Sequence, residues 1–304
     1  MELKSAARAG ISLLLVAALL YLADIPEILD HLARAEIQPY LLGIAVFLTT
    51  YPAAALRWRK LSTGIGYDLS LFESLRLVSI SYSFNKLFPG NAGDLARSKV
   101  LQRYREVNSH SEVLGIVALE RYFSVIALLS IITVSIPFLQ FRFQGVQWVL
   151  LLFSAVAAAL SMGLLVDQER LEMFLEYAPL TGPLQGVLEG YRSSRRLDMA
   201  YSLACSLYIR SAEAVTFFLF ITALDSGIGF WTGAFVTSAM SLVSALPISP
   251  AGLGAVDAAG TAMLMLAGLS YTGALSLVML ERTAGLVLMG FIGVAVYLAE
   301  EYLF

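Results

Sequence analysis

The sequence predicts an all-α polytopic membrane protein in which six spanning helices and two re-entrant helical hairpins form an inverted-topology repeat. Three observations predict this class. The chain of 304 residues is 58% hydrophobic and only 14% charged, which is more apolar surface than a soluble domain can bury. Apolar runs long enough to cross a bilayer as helices recur along the whole length. Two further apolar regions are interrupted near their middle by proline and glycine, and their motifs match at one fixed spacing.

Six apolar segments have the length of a membrane-crossing helix. They are 9–25, 39–56, 112–139, 146–166, 198–224 and 271–298. Lys4 and Arg8 precede the first run and no small-residue cleavage site follows it, so we expect a retained helix and not a cleaved signal peptide.

The interrupted regions are 69–105 and 229–269. Residues 1–166 contain the first repeat and also the span at 146–166, which begins the second repeat. Residues 198–304 contain the rest of the second repeat. Between them, 167–197 is a cytoplasmic connector with two short amphipathic patterns. These helices lie on the membrane surface or pack against the protein's own underside. The whole chain is one integral-membrane domain.

Positive charges predict the orientation of the chain. The clusters at 4–8, 57–60, 97–105 and 170–196 belong in the cytoplasm, which places the N-terminus there. We interpret Arg57, Arg59 and Lys60 as anchors of a helix end. This assignment is consistent only if the first interrupted region enters and leaves from the cytoplasmic side. The same counting makes the second region enter and leave from the opposite side.

The two halves share a motif at a constant offset of 161 residues. The stretch "FPGNAGDLARSK…SEVLGIVALER" aligns without a gap with "SPAGLGAVDAAG…TGALSLVMLER", and both end in Leu-Glu-Arg. So many matches at one offset indicate a duplicated unit. Each unit contains three spans, an odd number, so the second unit is inserted upside down, as in many transporters. Irregular backbone at the hairpin tips is tolerated only inside protein or beside a water-filled cavity.

Charged residues inside the predicted spans require partners. Glu120 and Glu281 lie near the bilayer centre, where an uncompensated charge costs at least about 2.5–3.5 kcal/mol. Neighbouring residues on a helix do not face each other, so neither glutamate pairs with the arginine that follows it. We expect partners among Lys86, Asp94, Arg97 and Asp257 of the hairpins. The result is a polar cavity or, alternatively, ion-pair networks that lock the hairpins in place. Arg210 and Glu213 have the i, i+3 spacing of a structural pair.

Several kinds of chemistry have no support in the sequence. It contains no Cys/His cluster, HExxH, Walker loop or GxSxG motif, so we predict no metal, no cofactor and no enzymatic activity. Nor do we predict nucleic-acid binding. The single cysteine, Cys205, excludes an internal disulfide. Without an ATP-binding motif, any transport is passive or ion-driven.

Four segments resemble the lysylphosphatidylglycerol synthase transmembrane region, also known as a flippase-like, YbhN-type membrane protein family. They are "NKLFPGNAGDLARSKVLQRY", "ALERYFSVIALL", "ALPISPAGLGAVDAAGTAML" and "VMLERTAGLVLMGFIGVAVYL". The resemblance implies lipid translocation across the cytoplasmic membrane of a prokaryote. The aminoacyl-transferring domain of one relative has no counterpart in the sequence, so we expect no aminoacyl-lipid synthesis. Relatives usually carry glutamate where Asp94 and Asp257 stand, so the acids of this chain reach less far.

The resemblance and the motifs together predict a flippase-like transporter of an anionic phospholipid or a polyprenyl-phosphate-linked lipid. The candidate substrate-binding residues are Lys86, Asn91, Asp94, Arg97, Glu120, Arg121, Asp257, Glu281 and Arg282. The hairpin-tip residues are Pro89, Gly90, Gly93, Pro250, Gly252 and Gly254. Membrane lipids are the expected partners. The main alternative is a non-transporting subunit that anchors a synthase or glycosyltransferase. A membrane enzyme acting on lipid phosphate and a small-solute symporter are further alternatives.

Overall fold

All secondary structure in the described part of the chain is helical, which confirms the all-α class. The computed structural model describes residues 19, 21, 24–64, 66–87, 92–104, 110–139, 148, 151–152, 154–157, 159, 196–245, 253–285 and 290–303. The helices are α1 (Ile25–Ala33), α2 (Ile37–Leu48), α3 (Thr50–Gly64), α4 (Leu71–Leu87), α5 (Ala92–Tyr104), α6 (His110–Ser135), α7 (Arg196–Ala223), α8 (Phe230–Ala245), α9 (Ala255–Leu266), α10 (Tyr271–Ala284) and α11 (Gly290–Leu303). A 3-10 turn at Ile136–Phe138 extends α6.

Three helical segments are long and apolar enough to cross a membrane. They are Ile37–Gly64, Gly115–Phe138 and Asp198–Ala223, and they coincide with the spans predicted at 39–56, 112–139 and 198–224. The predicted spans at 9–25 and 146–166 and the connector at 167–197 lie largely outside the described residues. The predicted span at 271–298 corresponds to α10 and α11, and residues 286–289 between them are outside the description. A total of six spans therefore stays a prediction.

The span predicted to end at residue 56 is longer than expected. Only Thr49 separates α2 from α3, and together these helices reach Gly64. The prediction ended the span early because positive residues commonly mark a membrane boundary. The helix continues past Arg57 because this side chain is buried against an acidic partner. Lys60, one turn further, pairs with Asp198 of α7 at 3.0 Å.

Helix α1 was not predicted, although the sequence contains signals for it. The carboxylate of Asp24 accepts a hydrogen bond from the backbone N–H of Glu27 at 3.2 Å, and Pro26 lies in the first turn. Both are typical of a helix start. The helix packs on α10, where Thr272 donates to the Glu27 carboxylate at 3.0 Å. The stretch between the spans predicted at 9–25 and 39–56 therefore contains an ordered helix.

Each interrupted region contains two helices that pack against each other. We call α4 with α5 the first hairpin and α8 with α9 the second hairpin. Gly93, near the start of α5, touches α4 so closely that a Cβ would lie 2.0 Å from the Ser81 carbonyl oxygen. Gly254 caps α9 with φ of +80°, a conformation that favours glycine. The other predicted tip residues, Pro89, Gly90, Pro250 and Gly252, lie outside the described residues.

Helix contacts recur in matched pairs between the two halves. α3 packs on α4, and α7 packs on α8; α4 packs on α11, and α8 packs on α6. Under the 161-residue offset, α4 corresponds to α8 and α6 corresponds to α10 with α11. One close contact is at Gly293 of α11, where a Cβ would lie 2.0 Å from the Ser83 hydroxyl oxygen and 2.2 Å from the Ser79 carbonyl oxygen of α4. The third helix of each half therefore covers the hairpin of the other half.

Candidate functional site

Four charged side chains are buried together where α3, α5 and α6 meet. Arg57 of α3 donates from Nη2 to Oε1 of Glu120 at 2.6 Å. Arg97 of α5 donates from Nη2 to the other oxygen of Glu120 at 3.0 Å and to Oδ1 of Asp94 at 3.2 Å. Each of these side chains is less than one-tenth exposed. Since two arginines face two carboxylates, this buried core is neutral.

Local structure at the start of α5 positions Asp94. It is the third residue of the helix, where the N-terminal end of the helix dipole favours an acidic side chain. Ser81 of α4 donates its hydroxyl to Oδ1 of Asp94 at 2.9 Å. The side-chain oxygen of Asn85 accepts from the backbone N–H of Gly93 at 3.0 Å. These two contacts with α4 hold the carboxylate in place.

An aromatic ring and two hydroxyls complete the surroundings of the buried arginines. The guanidinium of Arg97 stacks 3.8 Å above the centroid of the Trp58 ring. Among the described residues, Nε and Nη1 of Arg97 have no hydrogen-bond partner, and the ring face compensates part of that loss. Arg57 donates from Nη1 to the hydroxyls of Ser206 at 2.7 Å and Ser124 at 3.1 Å. Ser206 belongs to α7, so the network joins both halves of the chain.

Arg121 adds a third positive charge at the edge of this core. Its Nη2 lies 2.6 Å from Oδ2 of Asp94, but 51% of its side chain is exposed, against 1% for Arg97. Arg121 therefore extends the charged network from the buried core to an accessible position. The accessible arginine of this group is Arg121.

The second half repeats the pairing between a hairpin aspartate and the arginine of Leu-Glu-Arg. Asp257 is the third residue of α9, as Asp94 is of α5. Arg282 of α10 donates from Nε to Oδ1 of Asp257 at 2.5 Å. The other oxygen of Asp257 accepts from the backbone N–H of Gly254 at 2.9 Å. Arg282 is 16% exposed and Asp257 is 4% exposed, so this pair is more enclosed than Arg121 with Asp94.

The two sites differ in their remaining charges. At the 161-residue offset, Phe218 stands where the first half has Arg57, and Ala258 stands where it has Arg97. Glu281 of α10, the counterpart of Glu120, is partly buried. The first half therefore concentrates arginines that the second half lacks.

The structure brings most of the predicted site residues into these two clusters. Glu120 and Arg121 find separate partners among the hairpin residues, as expected, and Arg282 pairs with Asp257. Arg210 and Glu213 pair with each other at 2.6 Å, also as expected. The side chain of Lys86 and the whole of Asn91 lie outside the described residues.

Sequence reasoning missed the roles of several residues and was wrong about Arg57. The sequence predicts that this arginine anchors a helix end, but the side chain is buried in the first cluster. The stretch Arg-Trp-Arg-Lys gives no indication of which arginine turns inward. Ser81, Ser206 and Trp58 carried no signal, because their roles arise from contacts between helices distant in sequence.

The chemistry available at these clusters is the recognition of anions. A guanidinium offers paired N–H donors that match the oxygens of a phosphate or carboxylate. In the described part of the chain, no group of three His, Cys, Asp or Glu residues is arranged to hold a metal ion.

The chain is similar to membrane proteins of the UPF0104 type from archaea. A relative from Methanocaldococcus jannaschii is 26% identical over 207 residues, which cover 65% of this chain and 86% of the relative. One from Methanothermobacter thermautotrophicus is 21% identical over 322 aligned residues, covering 97% and 95%. A third, from Pyrococcus horikoshii, is 22% identical over 305 aligned residues, covering 90% of each. The family model described as the lysylphosphatidylglycerol synthase TM region matches residues 6–293. The protein therefore belongs to this family of integral membrane proteins.

Proposed function

We propose that the protein is a flippase-like transporter that moves an anionic phospholipid or a polyprenyl-phosphate-linked lipid across the cytoplasmic membrane. One observation carries the proposal: the first cluster of buried charges reaches an accessible position at Arg121, whose side chain is half-exposed beside Asp94. Buried ion pairs stabilise poorly on their own, so a charged cluster with an accessible arginine points to an anionic ligand.

The contacts of Asp94 explain how Arg121 becomes available to such a ligand. When Arg121 turns toward a phosphate, Asp94 keeps its contacts with Arg97 at 3.2 Å and with the Ser81 hydroxyl at 2.9 Å. The carboxylate is therefore still compensated after Arg121 has left. Arg57 and Arg97 lack this freedom, because each is held by Glu120 and almost fully buried. In this mechanism they support the site and Arg121 contacts the headgroup.

The arrangement of helices supports a path through the membrane. Helix contacts that match at the 161-residue offset are what two oppositely inserted repeats would produce. In addition, α8 and α9 are short apolar helices of the kind found in discontinuous spans. In this proposal both hairpins are re-entrant, the N-terminus is cytoplasmic, and Arg121 and Arg282 serve the two sides of one headgroup pathway. The lipid tail stays in the bilayer throughout.

A headgroup-accessibility assay in vesicles tests the proposal. Purified protein is reconstituted with a trace of phosphatidylglycerol carrying a fluorophore on one acyl chain, and a quencher added outside reports how fast inner lipid appears at the outer surface. The parent should accelerate this movement. Arg121→Gln should slow it by at least about tenfold, the equivalent of about 1.4 kcal/mol in the barrier.

Arg34→Gln is the matched control, because Arg34 lies in an exposed pair with Asp30 at the surface of α1. This variant should move lipid at the parent rate. Parent-like movement by Arg121→Gln would contradict the assignment of the site. Absence of movement with every anionic lipid and with a polyprenyl phosphate would contradict transport itself.

A further inference from the structure

We propose that Arg210, held by Glu213, binds the phosphate of the lipid headgroup at the middle of the membrane, in a chamber inside the protein. The inference rests on the proposed function and adds a third arginine to the pathway that Arg121 and Arg282 serve. The sequence spacing predicts that Arg210 and Glu213 form a structural pair, and Nη1 of Arg210 lies 2.6 Å from Oε2 of Glu213. The depth, direction and surroundings of this pair point to a further role.

The pair lies halfway along a membrane span. Arg210 is 12 residues after the start and 13 residues before the end of the span Asp198–Ala223, so it lies about 18–20 Å from either end. The side chains of Arg210 and Glu213 are 20% and 25% exposed. Contact between a charged side chain and hydrocarbon is most costly at this depth. The exposed part of the pair therefore needs polar surroundings.

The exposed surface of the pair is directed away from the lipid-facing side of α7. The exposed residues in the middle of this helix form one stripe, at intervals of three or four residues: Tyr201, Ala204, Tyr208, Ser211 and Val215. At about 100° per residue, Arg210 and Glu213 lie about 140° and about 160° from the centre of this stripe. Fully buried Ser206 is on the same side as the pair. The accessible surface of Arg210 and Glu213 therefore borders a space inside the protein.

Tyr82 of α4 is on the other side of this space. Its partly buried side chain interacts electrostatically with Arg210 and Glu213, and also with Arg57 of the first cluster. The Tyr82 ring contacts the ring of Tyr51 at 5.6 Å between centroids. Among the described residues, the buried hydroxyl of Tyr51 has no hydrogen-bond partner. We call this space, bordered by Arg210, Glu213 and Tyr82, the midplane chamber; it adjoins the first cluster.

Arg210 can bind a phosphate without releasing Glu213. The bond to Glu213 uses Nη1, and in the described part of the chain Nε of Arg210 has no hydrogen-bond partner. The edge of a guanidinium formed by Nε and Nη2 is suited to donate to two oxygens of one phosphate. Glu213 therefore keeps its cation while the headgroup is bound. Because the pair is neutral, the phosphate is held weakly enough to leave toward either surface, as conduction requires.

Chemical modification tests the chamber without any transport. Cys205, the single native cysteine, is replaced by serine, and a new cysteine is introduced by Tyr82→Cys, Glu213→Cys or Ser211→Cys. In vesicles, a water-soluble anionic methanethiosulfonate reagent should modify Tyr82→Cys and Glu213→Cys, because both positions border the chamber. Ser211→Cys is the matched control. It lies at the depth of the pair but on the lipid-facing stripe, so it should not react.

A double substitution separates headgroup binding from a structural role of the pair. Arg210→Gln combined with Glu213→Gln removes both charges, so no buried charge loses its partner and the Tm in detergent should stay near that of the parent. In the vesicle assay, this double variant should move lipid at least about tenfold more slowly than the parent. The control is Arg34→Gln combined with Asp30→Asn, which removes an exposed pair and should leave the rate unchanged.

The outcomes distinguish this inference from the proposed function. Absence of modification at Tyr82→Cys and Glu213→Cys, or equal modification of Ser211→Cys, would overturn the chamber whether or not the protein moves lipid. Parent-like movement by the double variant, or slow movement accompanied by a decrease in Tm, would mark a structural pair. Either result would overturn headgroup binding at Arg210 and leave the transporter standing. Modification of both chamber cysteines in a parent that moves no lipid would overturn transport and leave the chamber.

Discussion

Arg57 and Glu120, separated by 63 positions in the sequence, form a 2.6 Å ion pair in which both side chains are almost fully buried. The pair connects α3 with α6, and the other oxygen of Glu120 connects α6 with α5 through Arg97. A single carboxylate therefore orients both buried arginines of the first cluster.

Removal of the charge at Arg57 should destabilise the protein strongly. Arg57→Gln leaves Glu120 with one cation in place of two and removes the bonds to Ser124 and Ser206, and breaking a buried pair costs about 3–5 kcal/mol. Arg59→Gln, two residues along the same helix, is the control, because Arg59 is exposed. Thermal unfolding in detergent should show a clear decrease in Tm for the first variant alone. Equal Tm values for the two variants would contradict the buried role of Arg57.

The stack of Arg97 on Trp58 should depend on an aromatic face. Trp58→Leu removes this face and leaves a cavity in a fully buried position, so we expect a loss of about 3 kcal/mol in the free energy of unfolding. Trp58→Phe retains a smaller ring and should lose clearly less. Denaturant titration of both variants measures the difference. An equal loss in the two variants would contradict a contribution from the cation–aromatic contact.

Gly93 should not tolerate a side chain. An alanine Cβ would lie 2.0 Å from the Ser81 carbonyl oxygen and 2.7 Å from the Asn85 side chain, so α5 would have to move away from α4. Gly93→Ala should therefore cost about 1–3 kcal/mol of stability and displace Asp94, whose position depends on α4. Gly273→Ala is the control, since the nearest atom there, the Ser270 hydroxyl, is 3.2 Å away. Parent-like stability and lipid movement in Gly93→Ala would contradict the close approach of these helices.

Lysine at position 121 should restore part of the transport activity. Arg121→Lys keeps the positive charge but loses the planar pair of N–H donors that matches two phosphate oxygens. We expect lipid movement between the rates of the parent and of Arg121→Gln, with a higher lipid concentration needed for half-maximal rate. The vesicle assay over a range of labelled-lipid fractions measures both quantities. A rate equal to that of Arg121→Gln would show that geometry, and not charge alone, is required.

Features set by local sequence were predictable. The long apolar runs gave the spans near α2–α3, α6 and α7, because hydropathy over about 20 residues is a sufficient signal. Spacing alone gave the Arg210–Glu213 pair. Proline and glycine marked the points where each hairpin divides into two helices.

Features set by contacts between distant helices were not predictable. Arg57 is two residues from exposed Arg59, and only the approach of α6 and α7 decides which of them is buried. At the 161-residue offset, position 255 corresponds to Asp94, so the sequence alignment leaves Asp257 two residues away from the position equivalent to Asp94. The starts of α5 and α9 show that both residues are third in their helices.

The contact between Gly293 and the Ser79 carbonyl has a consequence for biogenesis. α4 leaves the ribosome more than 200 residues before α11, which at about 5–20 residues per second is a delay of tens of seconds. During that interval the Ser79–Ser83 face of α4 lacks the helix that finally covers it. The insertion machinery or surrounding lipid must shelter this polar, small-residue face while the nascent chain is completed.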